Sequence, residues 1–166
     1  MPPAIRGRCE TVLGNYAQAQ ATLEQALAQS DTFGDASLRS LVLNALGSWA
    51  AASAQWSEAE RWLCDAFFLT RTLGNRRRSS EILETLAYVL AHSEREAGAA
   101  MFLGSAAVER AGSGTTIPPV FQVRYEQAVA RTRDAMTTEQ FDELVSLGRI
   151  RPAEELIRET FPSWQS

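Results

Sequence analysis

The sequence predicts an all-α fold built from stacked helical hairpins. Three observations support this prediction. Alanine and leucine recur at helical spacing, glycine and proline fall between the helical runs, and the same residue types return every 40 positions. Of the 166 residues, 45% are hydrophobic and 22% are charged, as in ordinary folded domains. We predict a single domain over residues 1–166, with repeats over 1–117 and helical capping segments over 118–166.

The repeat appears when residues 40 positions apart are compared. Small and aliphatic residue types share one register in three copies. Helices that approach closely need small side chains at the contact, with bulky side chains filling the space on either side. We therefore predict that the recurring alanines are contact points between helices. The matching sets are Ala19, Ala59 and Ala99; Leu23, Leu63 and Leu103; Ala26, Ala66 and Ala106; and Gly34, Gly74 and Gly114.

Caps and breakers predict where the helices end. Gly34 and Gly74 are expected to end second helices in the left-handed conformation. The segment 112–119, GSGTTIPP, is expected to break the third copy. The sequence TTEQ from Thr137 predicts a capping box that opens a short helix ending at Gly148. The other helices are expected at residues 3–13, 15–30, 36–53, 56–73, 77–92, 94–111, 119–135 and 152–160.

Within one copy, the order of residue types resembles the tetratricopeptide repeat. The resemblance implies a tetratricopeptide-like superhelix of about three 40-residue repeats, in which the first helix of each repeat lines a concave groove. The residues that carry it are Leu46, Gly47, Trp56, Ala59, Leu63 and Ala66.

The stretch from Ala99 to Glu155 is similar to a narrower group of proteins. It contains AAMFLGSAAVER from Ala99, then Ile117-Pro118-Pro119 and YEQAV from Tyr125. These strings resemble the C-terminal tetratricopeptide region of bacterial LuxR-type and STAND-class ATPase transcriptional regulators. The resemblance implies a protein-interaction or effector-sensing module that partners a protein or peptide, and also other domains of a longer signalling regulator. Residues 1–8 lack the apolar core of a signal peptide, so we also expect a cytoplasmic protein.

Alignment of Gly47 with Ala87 places the groove positions that the resemblance implies. Four of them follow one another at i, i+3, i+7 and i+11 and so share one helix face. Their two carboxylates favour a peptide with basic residues, whereas the alternative interpretation is a solvated acidic face. The expected groove residues are Leu41, Asn44 and Ser48 in the second copy; Glu81, Glu84, Tyr88 and His92 in the third; and Phe121, Arg124 and Arg131 beyond it.

An apolar pocket inside the superhelix is the alternative to a peptide groove. Trp49, Tyr88 and Phe121 would form its walls, and the protein would then sense a small molecule. The N-terminal segment is short and begins with two prolines, so we also expect an exposed end that favours self-association, with a homodimer as one expected assembly.

Composition argues against several other functions. The net charge is −4 and all 16 basic residues are arginine, which argues against direct nucleic-acid binding and a phosphate-binding lysine. Cys9 and Cys64 have neither zinc-ligand nor disulfide spacing, and His92 is the only histidine, so we expect no metal, no cofactor and no catalytic site. The longest apolar run, 41–54, contains Asn, Gly and Ser and is too short for a bilayer, so no membrane partner is expected.

Overall fold

The computed structural model describes residues 1–165. In that range all regular secondary structure is helical and there is no β-strand, which confirms the all-α prediction. The helices are α1 (Pro3–Val12), α2 (Tyr16–Phe33), α3 (Ala36–Ala52), α4 (Trp56–Thr72), α5 (Arg76–His92), α6 (Glu96–Ser113), α7 (Pro119–Asp134), α8 (Thr138–Ile150) and α9 (Ala153–Thr160), followed by a 3-10 turn at Pro162–Gln165.

Contacts group these helices into two compact units, Met1–Gly74 and Asn75–Ser166. In the first unit α1 packs on α2 and α3 packs on α4, and α3 also contacts both helices of the preceding hairpin. In the second unit α5 packs on α6, and α7 contacts both, as α3 contacts α1 and α2. Helices α8 and α9 then pack against α6. A single domain over 1–166 stays a prediction.

Left-handed backbone recurs at intervals of 20 residues. At the end of α2, for example, the Asp35 amide donates to the Ser30 carbonyl at 3.1 Å and the Gly34 amide donates to the Asp31 carbonyl at 3.3 Å. This pair of bonds is the Schellman cap, which needs a positive φ. The sequence repeat is therefore also a repeat of backbone conformation. The left-handed residues, with φ from 57° to 79°, are Gly14, Gly34, Ala54, Gly74, Glu94 and Gly114.

Small residues stand at the helix contacts, as predicted. Ala19, Ala59 and Ala99 are fully buried. A Cβ atom added to Gly47 would lie 2.5 Å from Leu63 Cγ. One copy earlier, a Cβ atom on Gly7 would lie 2.6 Å from the Cγ atom of Leu23. The two hairpins of the first unit thus use the same close contact, with a leucine packed over a position without a side chain.

Two glycines mark the crossing of α6 and α8. A Cβ atom on Gly104 would collide with the Val145 carbonyl oxygen, and one on Gly148 would collide with the Met101 carbonyl oxygen. Here the two backbones touch. The prediction that the helix ends at Gly148 is therefore wrong: α8 continues to Ile150, because this glycine permits close packing and does not cap the helix.

Other boundaries differ for similar reasons. Residues 112 and 113 belong to α6, and the break comes at Gly114. The guanidinium of Arg76 packs against Gly112 and donates to the carboxylate of Glu109 at 3.0 Å, so Gly112 is a packing site and not part of a linker. Glu94 precedes α6 as a left-handed turn residue, although the sequence pattern placed it in the helix.

The C-terminal helices follow their local signals. The capping box at Thr137 is confirmed, since its Oγ1 accepts from the Gln140 amide at 3.2 Å and its own amide donates to Gln140 Oε1 at 2.9 Å. Arg151 at the end of α8 makes two hydrogen bonds to Glu159 of α9, at 2.6 and 2.8 Å. Hydrogen bonding to this guanidinium holds the pKa of the Glu159 carboxyl below its usual range.

We predict that Gly104→Ala lowers the free energy of unfolding by at least about 2 kcal/mol, because its methyl group has to push α8 away from α6. Gly98→Ala is the matched control on the same helix. Its Cβ atom would meet its nearest neighbour, Leu90 Cδ1, at 3.4 Å. That variant should be neutral or gain up to about 1 kcal/mol from helix propensity. Urea unfolding followed by circular dichroism measures both, and equal effects would refute the crossing.

We also predict that Glu94→Gly raises the free energy of unfolding by about 0.5–1 kcal/mol. Glycine adopts a φ of 57° without the steric cost that a side chain brings, which outweighs the extra entropy of the unfolded chain. Ala28→Gly, at an exposed position inside α2, should instead lower the free energy of unfolding by about 1 kcal/mol. Thermal unfolding tests the opposite signs; destabilisation by both changes would contradict the prediction.

Candidate functional site

The candidate site is the face that α5 and α7 share in the second unit. The two helices run in the same direction. At their amino-terminal parts, Phe121 and Arg124 line a recess together with Glu81. At their carboxyl ends, Arg131 Nε donates to the Ala91 carbonyl at 3.1 Å. We call this surface the α5–α7 face, defined by Glu81, Tyr88 and His92 of α5 and Phe121 and Arg124 of α7; all five are half-buried.

The recess on this face is shallow. The space over it is about 240 Å³ and continues into open solvent, and its enclosed part has room for roughly one water molecule. Pockets for small molecules bury most of the surface of their ligand. A recess this open therefore suits the end of one side chain better than a whole metabolite. Its lining residues are Glu81, Glu84, Thr85, Phe121, Arg124 and Tyr125.

One lining residue of the recess, Glu84, belongs to an ion pair. Glu84 is 8% exposed, and its carboxylate pairs with the guanidinium of Arg110 at the end of α6. Arg110 also lies over the ring of Tyr125, with Cζ 5.4 Å from the ring centroid. Charge, hydrogen bond and cation–π contact thus join α5, α6 and α7 at one place.

The predicted acidic character of the groove changes as a result. Glu84 is neutralised by Arg110, and Glu81 is bridged to Arg77 of the same helix at 3.3 Å. The expectation of a basic partner rested on these two carboxylates. Arg124 also lines the recess, so the face carries both signs of charge.

Aromatic groups cover the rest of the face. The rings of Tyr88 and His92 have centroids 4.1 Å apart, and His92 Nδ1 lies 2.8 Å from the Tyr88 carbonyl oxygen. On α7, the guanidinium carbon of Arg124 lies 5.0 Å from the Phe121 ring centroid. Half-buried rings held in this way offer contact surface at a low entropic cost, because their positions are already fixed.

The groove residues predicted on α3 belong to the first unit. Leu41 and Ser48 are half-buried there. Asn44 is 4% exposed, and its Oδ1 atom accepts no hydrogen bond from the described residues, so its side chain is packed inside. Trp49 is also 4% exposed and donates from Nε1 to the Tyr16 carbonyl at 2.9 Å. Trp49 is therefore a core residue of its unit.

Sequence reasoning missed two residues that line the recess, Thr85 and Tyr125, and a third, Arg110, that pairs with the lining residue Glu84. Thr85 and Tyr125 each lie four positions after a residue that it did identify, Glu81 and Phe121, so the helical period was an available signal. Arg110 gave no such signal. It lies 26 residues after Glu84, and only the folded hairpin brings the two together.

Comparison of the chain with family models, with curated proteins and with solved structures gives no match. Residues 1–165 include no group of three metal-ligating side chains placed to hold an ion. In the same range, each helix is too short or too polar to cross a membrane.

We predict that Arg110→Met lowers the free energy of unfolding by roughly 3 kcal/mol, because it leaves the Glu84 carboxylate buried without its partner. Adding Glu84→Gln should recover most of that loss. Arg61→Met, which breaks the pair of Arg61 with Glu58, should change stability by less than about 0.5 kcal/mol, because these side chains are 56% and 47% exposed. Urea unfolding compares the variants. Similar losses at Arg61 and Arg110 would show that burial of the Glu84 pair has no effect on its strength.

Proposed function

We propose that this chain is a helical-repeat interaction module of the tetratricopeptide type, which stacks its hairpins as a superhelix and binds a protein or peptide on the α5–α7 face. The observation that carries the proposal is the geometry of that face. Two helices run in parallel, present half-buried aromatic rings, and border a recess of side-chain size. Helical repeats with first helices arranged side by side suit peptide recognition.

The dimensions of the face favour a short segment. From Glu81 to His92 the helix rises about 16 Å, which equals roughly five residues of extended peptide. One side chain of the partner would enter the recess between Glu81 and Arg124, where it meets one carboxylate, one guanidinium and the side chain of Phe121. Neighbouring residues would lie over the rings of Tyr88 and His92. A segment with an apolar side chain beside a polar one fits this surface.

The wider role is proposed from the resemblance stated above. In bacterial LuxR-type and STAND-class regulators, such repeats form the sensor or scaffold part of a longer chain. Binding on the α5–α7 face would then be the input that this module passes to the other domains. The proposal includes no chemical reaction.

Selection of peptides from a random library tests this function and does not require the natural partner. Displayed 12-residue peptides are panned on the folded chain, and the affinities of the selected peptides are measured by fluorescence anisotropy. Tyr88→Ala and Phe121→Ala should each weaken binding by about tenfold or more, because each removes a fixed aromatic contact. Val123→Ala is the matched control, because Val123 lies on α7 outside the recess and is 63% exposed.

Two results would contradict the proposal. One is a library that yields no peptide with saturable binding. The other is a set of selected peptides whose affinities are the same for the wild type, Tyr88→Ala and Phe121→Ala while circular dichroism shows all three folded.

A further inference from the structure

The recess on the α5–α7 face has a hydrogen-bond acceptor on one side and donors on the other. Glu81 contributes to its lining from α5, whereas Arg124 and Tyr125 line it from α7. A carboxylate only accepts hydrogen bonds, a guanidinium only donates them, and a phenol hydroxyl can do either. A group that enters between the two helices therefore meets opposite requirements on its two sides.

The carboxylate of Glu81 can accept more hydrogen bonds than it receives from its own helix. Its side chain is 12% exposed, and Arg77 Nε donates to its Oε1 atom at 3.3 Å. The two oxygens of a carboxylate have about four lone-pair sites in total, so most of this capacity is left. The Thr85 hydroxyl already donates to the Glu81 carbonyl at 2.9 Å, and Arg110 holds the Glu84 carboxylate. The main acceptor that α5 offers to a partner is therefore Glu81.

Aromatic contacts hold the donors on the α7 side. The guanidinium carbon of Arg124 lies 5.0 Å from the ring centroid of Phe121, one turn earlier on the helix. The ring of Tyr125 lies 5.4 Å from the guanidinium carbon of Arg110. Such contacts reduce the conformational freedom that these side chains would lose when a partner binds. The α7 side thus offers donors that are already in position.

The opposite charges of the two sides disfavour three classes of partner side chain. A lysine or arginine would face the guanidinium of Arg124, and an aspartate or glutamate would face the carboxylate of Glu81. An aliphatic side chain would displace water from both groups without replacing its hydrogen bonds. Each class leaves at least one side of the recess repelled or without a partner.

A carboxamide group matches both sides at once. Its NH2 group donates, its carbonyl oxygen accepts, and it carries no net charge. The enclosed part of the recess holds roughly one water molecule, which admits one end of a carboxamide group and excludes a stretch of peptide backbone. The chemistry of an amide side chain therefore fits the recess better than that of the other classes.

From these observations we propose that the recess recognises an asparagine or glutamine side chain of the bound peptide. The NH2 group of that side chain donates to Glu81, and its carbonyl oxygen accepts from Arg124 or Tyr125. This inference rests on the proposed peptide-binding function and adds the class of side chain that the site selects.

Exchange of amide for acid in the peptide is the first test. Peptides selected on the α5–α7 face should carry Asn or Gln at one position. Its change to Asp or Glu should weaken binding by about tenfold or more in fluorescence anisotropy, because two carboxylates would then meet. Replacement by Leu for Asn, or Met for Gln, should weaken binding by a similar factor, because Glu81 and Arg124 would lose their partner.

The matching exchange in the protein is the second test. Glu81→Gln places an NH2 group where it can donate to an acidic side chain, so the preference for the amide peptide over the acidic one should fall from about tenfold to none. Glu126→Gln is the matched control, since it removes the same charge from an exposed residue of α7 outside the recess. It should keep the preference. Circular dichroism verifies that both variants are folded.

The outcomes separate this inference from the function on which it rests. Selected peptides that lose affinity with Tyr88→Ala and Phe121→Ala, but accept Leu or Lys at every position, would overturn the amide assignment and leave peptide binding supported. A preference for the amide that Glu81→Gln does not change, or that Glu126→Gln removes equally, would also overturn the assignment. A library that yields no binding peptide would overturn both.

Discussion

Close approach between helices at small side chains is the constraint on which the rest of this structure depends. Gly7 and Gly47 allow Leu23 and Leu63 to pack directly over a helix backbone, and the recurring alanines are buried at equivalent positions in each copy. Such contacts recur only if every helix presents the same face at the same point along the chain. The left-handed residues, which recur every 20 positions, produce this match between copies. They end the helices at equivalent places and so keep the hairpins in register along the sequence.

The α5–α7 face depends on how the repeat ends. Helix α7 contacts α5 and α6 as the first helix of another hairpin would, and this brings Phe121 and Tyr125 beside Glu84 and Arg110. The next helix then leaves the pattern and crosses α6 with its backbone in contact at Gly148. Contacts with α5 and α6 thus hold the inner side of α7, while residues on its outer side stay accessible. The candidate site is therefore a product of the transition from repeat to cap.

Much of the fold could be predicted from local signals. The helices between residues 1 and 165, the left-handed caps at Gly34 and Gly74, and the Thr137 capping box follow from periodicity and cap chemistry, which involve neighbours in sequence. Glu94 was missed because its side chain disfavours a positive φ, and the register of the hairpin overrides that preference. Gly148 was misread because glycine both ends helices and permits close packing, and only the partner helix distinguishes the two. The pairing of Glu84 with Arg110, which turns an acidic groove into a mixed surface, depends on tertiary structure.

The even spacing of the left-handed turns also affects how chains of this kind can evolve. A gain or loss of about 40 residues returns every cap, every small contact residue and every covering leucine to an equivalent position. A gain of about five residues inside a helix rotates one face by more than a full turn and separates the leucines from the sites they cover. Natural variation in length should therefore occur in whole hairpins, while smaller insertions collect in the segments beyond α6.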